Sequence, residues 1–219
     1  SQLGAANYSI PIELPIGSGG ATPELTISYN SDSRQGCMGM GWSISGLQNI
    51  SRVEQSLNNN NFVKGISKTN LDGFAFNGDI LIPQSENLNG LDGTEYHTKM
   101  ESFAKIKSHT SNNLNGPEWF EILTKEGVTI EFGKTPNSKI KPNGSVTSLV
   151  WYINKVTDKN GNYWTYDYIL KNGNDIELKC IKYSGNDAMN PIIVPTNEIN
   201  FYYDISENPS FSSVAGERI

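Results

Sequence analysis

Gly41-Trp42-Ser43-Ile44-Ser45-Gly46 has the outline of a nucleophile elbow, in which a sharp strand-to-helix turn lifts a serine hydroxyl towards substrate. The fifth place of that pattern holds Ser45 where the close turn wants glycine, and no helical run follows. Ser43 therefore reads as a strand residue. A nucleophilic serine also needs a base, and the chain has 2 histidines, His97 and His109. Neither stands at a spacing diagnostic of a triad or a metal site, and His109 falls in a polar stretch, so both read as surface histidines.

Asp158-Lys159-Asn160-Gly161-Asn162 sets oxygen-bearing side chains at alternate positions, as a calcium loop does. An EF-hand needs glycine at the sixth place and a bidentate glutamate at the twelfth, where this chain has Tyr163 and Ile169. A hairpin turn is the better reading. Gly17, Gly19 and Gly20 precede no helix whose amides could cradle a phosphate, which leaves ordinary loop flexibility. Glu118 and Glu121 have the chemistry of an acid and base pair for glycosides, yet they read as a solvated strand face. Trp119, Trp151, Tyr152 and Trp164 could stack sugar rings, with core packing as the ordinary alternative. Cys37 and Cys180 are far apart without a spacing pattern and read as separate buried thiols. Sequons at Asn7, Asn49 and Asn143 matter only where the source glycosylates such sites. No catalytic, cofactor-binding or metal-ligating residue is assigned, and no enzyme is expected.

The elements that must carry these residues are strands. The chain has 219 residues, 36% hydrophobic and 18% charged, enough to bury a core without metal or disulfide staples. Its 21 glycines and abundant asparagines point to tight turns rather than long helices. A net charge of -6 with no Lys/Arg run argues against nucleic acid, which needs a clustered positive face. The longest apolar stretches, around Ile80-Leu81-Ile82 and Ile192-Ile193-Val194, are too short to cross a bilayer, so no membrane insertion is expected. Ser1 to Ala6 lacks the basic start and apolar core of a signal peptide.

Leu25, Ile27 and Tyr29 alternate with Thr26 and Ser28, the period of a half-buried strand. The same alternation returns at 128–132, 176–180 and 199–203. Asn160-Gly161 is the strongest hairpin signal, read as a type I′ turn with positive φ at both residues. Asp72-Gly73, Asn77-Gly78, Asn89-Gly90, Asp92-Gly93, Asn115-Gly116, Asn143-Gly144 and Asn172-Gly173 extend the series. The asparagine run 58–61 and the polar stretch 108–116 read as exposed loops, and 84–93 as a polar connection. Pro11 and Pro15 mark an edge or bulged strand, since proline cannot donate to a ladder. Such an edge could be completed by another piece of protein or covered by a loop of the same chain. Gly36, Gly39 and Gly41 flank Trp42 closely enough for the indole to seat on glycine. Tyr166-Asp167-Tyr168, Tyr183-Ser184-Gly185 and Tyr202-Tyr203-Asp204 form a weak echo, one hairpin per unit, in which tyrosine packs by its ring and bonds at its tip.

These residues also name a family. Tyr8-Ser9-Ile10-Pro11-Ile12, Pro23-Glu24-Leu25-Thr26-Ile27-Ser28-Tyr29-Asn30-Ser31, Gly39-Met40-Gly41-Trp42-Ser43 and Ile50-Ser51-Arg52 resemble the opening of the SpvB N-terminal domain family. That family includes the Salmonella virulence plasmid B toxin and the B subunits of insecticidal toxin complexes. Val156-Thr157-Asp158-Lys159-Asn160-Gly161-Asn162 and Tyr166-Asp167-Tyr168 are similar to the tyrosine-aspartate (YD) repeats of Rhs proteins. The resemblance is dense over the first fifty residues, loose from Glu54 to Asn115 and renewed from Trp151 to Ile219. It implies an all-β fold, an antiparallel sandwich or curved open sheet built of hairpins and continuing into Rhs-like β repeats. Residues 1–219 are then one module, with a motif-rich subregion 1–83 and longer Rhs-like hairpins over 94–219. The implied function is a non-catalytic segment of a secreted or cell-surface virulence protein, part of a β shell that houses or delivers a toxin polypeptide. Implied partners are further repeats of the same full-length protein and other toxin-complex subunits. Transferase activity in one branch belongs to a separate C-terminal domain. The competing reading is a carbohydrate- or cell-surface-binding module, which requires Trp119, Trp151 and Trp164 exposed on one face.

Overall fold

The computed structural model describes residues 4–33, 35–36, 38–54, 65–70, 72–85, 88–99, 104–111, 115–142, 145–171, 175–204, 213–214 and 217–218. β1 (Asn7–Pro11) and β2 (Thr26–Asn30) pair antiparallel, a short ladder joins β3 (Gln35–Gly36) to β4 (Gly39–Met40), and β5 (Trp42–Ile44) completes a small sheet in the order β1-β2-β5. β1 is the exposed edge of that sheet and ends at Pro11, as its prolines require.

From β6 (Asn49–Val53) the chain runs through β7 (Gly73–Phe76), β8 (Asp79–Pro83), β9 (Glu95–Thr98), β10 (Lys105–His109), β11 (Trp119–Leu123) and β12 (Thr129–Phe132), each antiparallel to the next. β13 (Lys139–Ile140) is brief, and β14 (Val150–Thr157) then closes the circle. One edge of β14 takes β6, with Trp151 opposite Ile50, while the other takes β12, with Val156 opposite Ile130. A register shift between Glu131 and Phe132 bends β12 onto it. The antiparallel, hairpin-built sheet is the one expected from sequence, and its curvature carries it round into a closed barrel. The polar connection 84–93 joins neighbouring strands of this one ring.

Beyond the barrel, the far half of β14 pairs with β15 (Asn162–Lys171), followed by β16 (Asp175–Asn186) and β17 (Asn197–Asn200). This arm carries the tyrosine echo. Tyr168 donates its hydroxyl to the Ile153 carbonyl at 2.6 Å, Tyr203 donates to Leu178 at 3.0 Å, and Tyr166 accepts from Trp164 Nε1 at 3.2 Å. Tyr166 and Tyr168 are buried with bonded tips and stiffen the β14–β15 hairpin, whereas Tyr202 is 91% exposed.

A ring of this size is just wide enough to be filled by side chains. Phe74, Tyr96, Phe120 and Trp151 come from strands that are not neighbours, so they meet across the lumen. Their rings interlock edge to face at centroid distances of 5.1 to 6.2 Å. Leu25, Ile12, Ile44 and Leu47 join the N-terminal sheet to the same core.

Several local readings change. Asn160-Gly161 is not a type I′ turn: only Gly161 has positive φ, because Asp158 accepts the amides of Asn160 and Asn162 and shapes a longer loop. The two-residue turn with both φ positive is Asn77-Gly78, at 48° and 89°. The segment around Gly17 to Gly20 is a docking contact rather than a slack loop. Ser18 Oγ donates to the Ser184 carbonyl at 3.2 Å, and a Cβ on Gly19 would lie 2.5 Å from Asn162 Nδ2. Gly41 seats the Tyr29 ring, a Cβ there falling 2.6 Å from Tyr29 Cε2. The polar stretch 108–116 begins inside a strand, with Ser108 fully buried in β10. The asparagine run 58–61, Asn143-Gly144 and Asn172-Gly173 lie outside the described residues.

Candidate functional site: a barrel mouth tied to one arginine

The registers place the β6–β7, β8–β9, β10–β11 and β12–β14 connections at one end of the barrel. Arg52 points into that mouth because β6 alternates, sending Ile50 and Arg52 inward together. Arg52 is 1% exposed, and its guanidinium is bonded on every nitrogen. Nε donates to the Ser148 carbonyl at 2.8 Å, Nη1 donates to the Thr69 carbonyl and to Asp72 Oδ2, and Nη2 donates to the Asn115 carbonyl at 3.1 Å. Phe74 and Trp151 lie beneath it, 5.3 and 5.6 Å from Cζ to the ring centroids.

Asp72 is equally committed. Besides Arg52, it accepts the Ser67 amide at 2.7 Å, the Ser67 hydroxyl at 2.6 Å and the Thr69 amide at 3.2 Å. Asn89 ties in the β8–β9 connection by donating to the carbonyls of Asn70 and Asp72, while the Gly90 amide donates to Tyr96 Oη. Burial pulls the Arg52 pKa below its ordinary value, opposed by the charge and hydrogen bond of Asp72. Burial likewise raises the Tyr96 phenol. The Tyr96 phenol therefore stays protonated near neutrality. Because donors and acceptors at the centre are paired within the protein, the arrangement locks four connections together and offers no reacting position.

The residues singled out in the sequence are scattered rather than gathered. Ser43 is exposed in the middle of β5, opposite Ser28, not on a strand-to-helix turn. His97 is exposed on β9, and His109 lies at the other end of the β9–β10 pair. His109 is a correction: its ring is packed against Trp119 at 3.9 Å rather than lying on a free loop. Asp158 is saturated by the amides of Asn160 and Asn162 and by Asn162 Nδ2, which gives it a turn-shaping role. Glu118 directly precedes β11 and Glu121 lies at its middle, and the Glu118 carbonyl accepts Trp151 Nε1 and Lys139 Nζ. Trp151 is wholly buried in the lumen, Trp119 is half-buried, and Trp164 bonds Tyr166. No shared aromatic platform forms from them. Cys180 is a buried free thiol, and Cys37 lies outside the described residues. Among the described residues no group of three or more His, Cys, Asp or Glu is arranged to hold a metal, and no helix is long and apolar enough to cross a membrane.

The Arg52–Asp72 centre was not singled out from sequence. Its signal was an arginine at an inward position of an alternating strand, two residues after Ile50.

Comparison with known proteins gives a consistent picture. The family model described as Salmonella virulence plasmid 65kDa B protein matches residues 1–190. Mono(ADP-ribosyl)transferase SpvB from Salmonella typhimurium and from Salmonella dublin is 25% identical over 198 residues, covering 82% of this chain and 32% of each relative. The chain thus spans about a third of the length of those relatives. Among solved structures, the N-terminal domain of effector protein SpvB from Salmonella typhimurium strain LT2 superposes with a TM-score of 0.64 at 18% identity, covering 80% of this chain and 63% of that one. TcdB2-TccC3 superposes with a TM-score of 0.63 at 18% identity, over 83% of this chain and 10% of that one. The Photorhabdus luminescens Tc holotoxin pore gives 0.66 at 19% identity, over 83% and 9%.

Proposed function

Because the chain belongs to the SpvB family, the family of the Salmonella virulence plasmid 65kDa B protein, we propose that it is a non-catalytic wall segment of a secreted bacterial toxin protein. In this reading residues 1–219 act as one module, and its partners are further β-rich repeats of the same polypeptide and other toxin-complex subunits. We read the transferase chemistry named for the curated relatives as belonging to the part of those proteins outside the matched segment, since this chain covers 32% of them.

The observation that carries the reading is the outer end of the arm. β17 pairs only with β16 among the described residues, leaving an open edge at the end of the sheet. Beside it the connection 187–194 is exposed throughout, with Met189, Ile192 and Val194 at 54%, 62% and 68% exposure. This display is built, not slack. Asn186 and Ile193 exchange backbone bonds at 2.8 and 2.9 Å, and Asn186 Oδ1 accepts the amides of Ala188 and Met189. An ordered apolar loop beside an open strand edge suits continuation by more β structure better than free solvent.

Hydrogen exchange on this chain alone and on the complete product of its gene tests the reading. Amides of β17 and of 187–194 are expected to exchange about tenfold more slowly in the complete product. Equal rates in the two would overturn it.

A further inference from the structure

His109 ends β10 directly opposite Trp119, the first residue of β11. The two rings stack at 3.9 Å with an interplanar angle of 11°, and Lys134 Nζ stands 4.4 Å from the centroid of the same indole. A ring at that stacking distance leaves no room for an ammonium on its side, which assigns imidazole and ammonium to opposite faces of Trp119. Nδ1 faces Asp92 Oδ1 at 4.0 Å, whereas Nε2 is buried and has no hydrogen-bond partner. A buried, unpartnered nitrogen is tolerable as a lone pair. As a charged N–H donor it is not.

We propose that His109 is an acid-sensitive latch on the mouth of the barrel: the neutral imidazole clamps the ends of β10 and β11 through Trp119, and its protonation releases the stack. Protonation puts a donor at Nε2 where no acceptor waits, and a second cation against an indole already occupied by Lys134. The groups facing the ring are mixed in sign. Burial is the largest influence and lowers the imidazole pKa, Glu121 and Asp92 oppose it, and Lys107 and Lys134 add to it. Stability held by the latch is complete above the ordinary histidine pKa of 6.5 and is lost as pH falls from there towards the lowered folded value.

The release has a route inward. The His109 carbonyl accepts the Glu118 amide at 2.8 Å, and the Glu118 carbonyl holds Trp151 Nε1 at 3.0 Å. The same β10–β11 connection supplies the Asn115 carbonyl to Arg52. A loosened His109 therefore acts on the bonds that close the mouth.

With 2 histidines in the chain, an NMR titration of the imidazoles resolves the site directly. His109 is expected to titrate below the ordinary histidine value of 6.5. Amides of Thr110, Ser111 and Glu118 are expected to exchange, after correction for intrinsic rates, about tenfold faster at pH 5 than at pH 7.5. His109→Phe keeps a stacking ring without the proton and should abolish that acceleration, while Lys134→Met should raise the His109 pKa. A His109 pKa at or above 6.5, or an acceleration that persists in His109→Phe, would overturn the latch.

Discussion

Gly133 lies against the indole of Trp151 so closely that a Cβ on it would fall 2.2 Å from Trp151 Cδ1. Gly133 also has φ of +69°, and Trp151 is fully buried in the lumen with no room to retreat. Gly133→Ala adds overpacking to left-handed backbone strain and is expected to cost about 3 kcal/mol or more. Gly78→Ala is the control, because Gly78 has φ of +89° and nothing within 4 Å of a built Cβ. It should cost only about 1 kcal/mol. Urea unfolding of the two variants separates packing from backbone, and equal midpoints would show that the indole yields.

Removing one member of the Arg52–Asp72 pair leaves a charge with 1% exposure inside the barrel mouth. Asp72→Ala is expected to destabilise by about 3 to 5 kcal/mol, the range for breaking a buried pair. Arg52→Met with Asp72→Leu should recover part of that loss, since the ions no longer need each other. A double variant no better than Asp72→Ala would mean that the backbone bonds made by Arg52, rather than its charge pairing, hold the connections.

How far the sequence discloses this molecule follows from the range of each interaction. The alternation at 25–29, 128–132 and 176–180, where β2, β12 and β16 form, is local and is visible in the chain, as is the edge character of β1 from Pro11. Closure depends on β14 meeting β6 and β12, contacts between residues as distant as Trp151 and Ile50, which no local pattern encodes. Asn77-Gly78 and Asn89-Gly90 do mark turns, but Asp158 overrides the turn type at Asn160-Gly161 by capping it from two residues away. The mouth was illegible for a similar reason: Arg52 and Asp72 are 20 residues apart and look like a motif end and a turn until the barrel brings them together.

Asp158 also sets an acid limit on the β14–β15 hairpin. Burial acts to raise its carboxyl, but bonds from the Asn162 side chain and the amides of Asn160 and Asn162, with the charge of Lys159, together hold it below the ordinary value of 3.8. A carboxylate with a lowered folded pKa adds stability that is present above the unfolded pKa and lost as pH falls through the folded one. The hairpin should therefore weaken only below about pH 4. Asp158→Asn should weaken the hairpin at neutral pH and remove the acid step, read by exchange of the Asn160 and Asn162 amides between pH 3 and pH 7.

Gly185 makes a softer version of the Gly133 contact, and the difference can be measured. It sits opposite Tyr163 across β15 and β16, and a Cβ there would come 2.6 Å from Tyr163 Cζ. Gly185 is not among the glycines with positive φ, so alanine meets no backbone strain. The clash is with the far end of a ring whose other neighbour is Lys155, its Nζ 4.4 Å from the centroid and 2.7 Å from Asp187 Oδ2. That ring is half-buried and can swing outward. Gly185→Ala should thus cost about 1 kcal/mol, less than Gly133→Ala, and Tyr163→Leu in the same chain should absorb most of it. A Gly185→Ala loss as large as that of Gly133→Ala, unrelieved by Tyr163→Leu, would mean that the arm is packed as rigidly as the lumen.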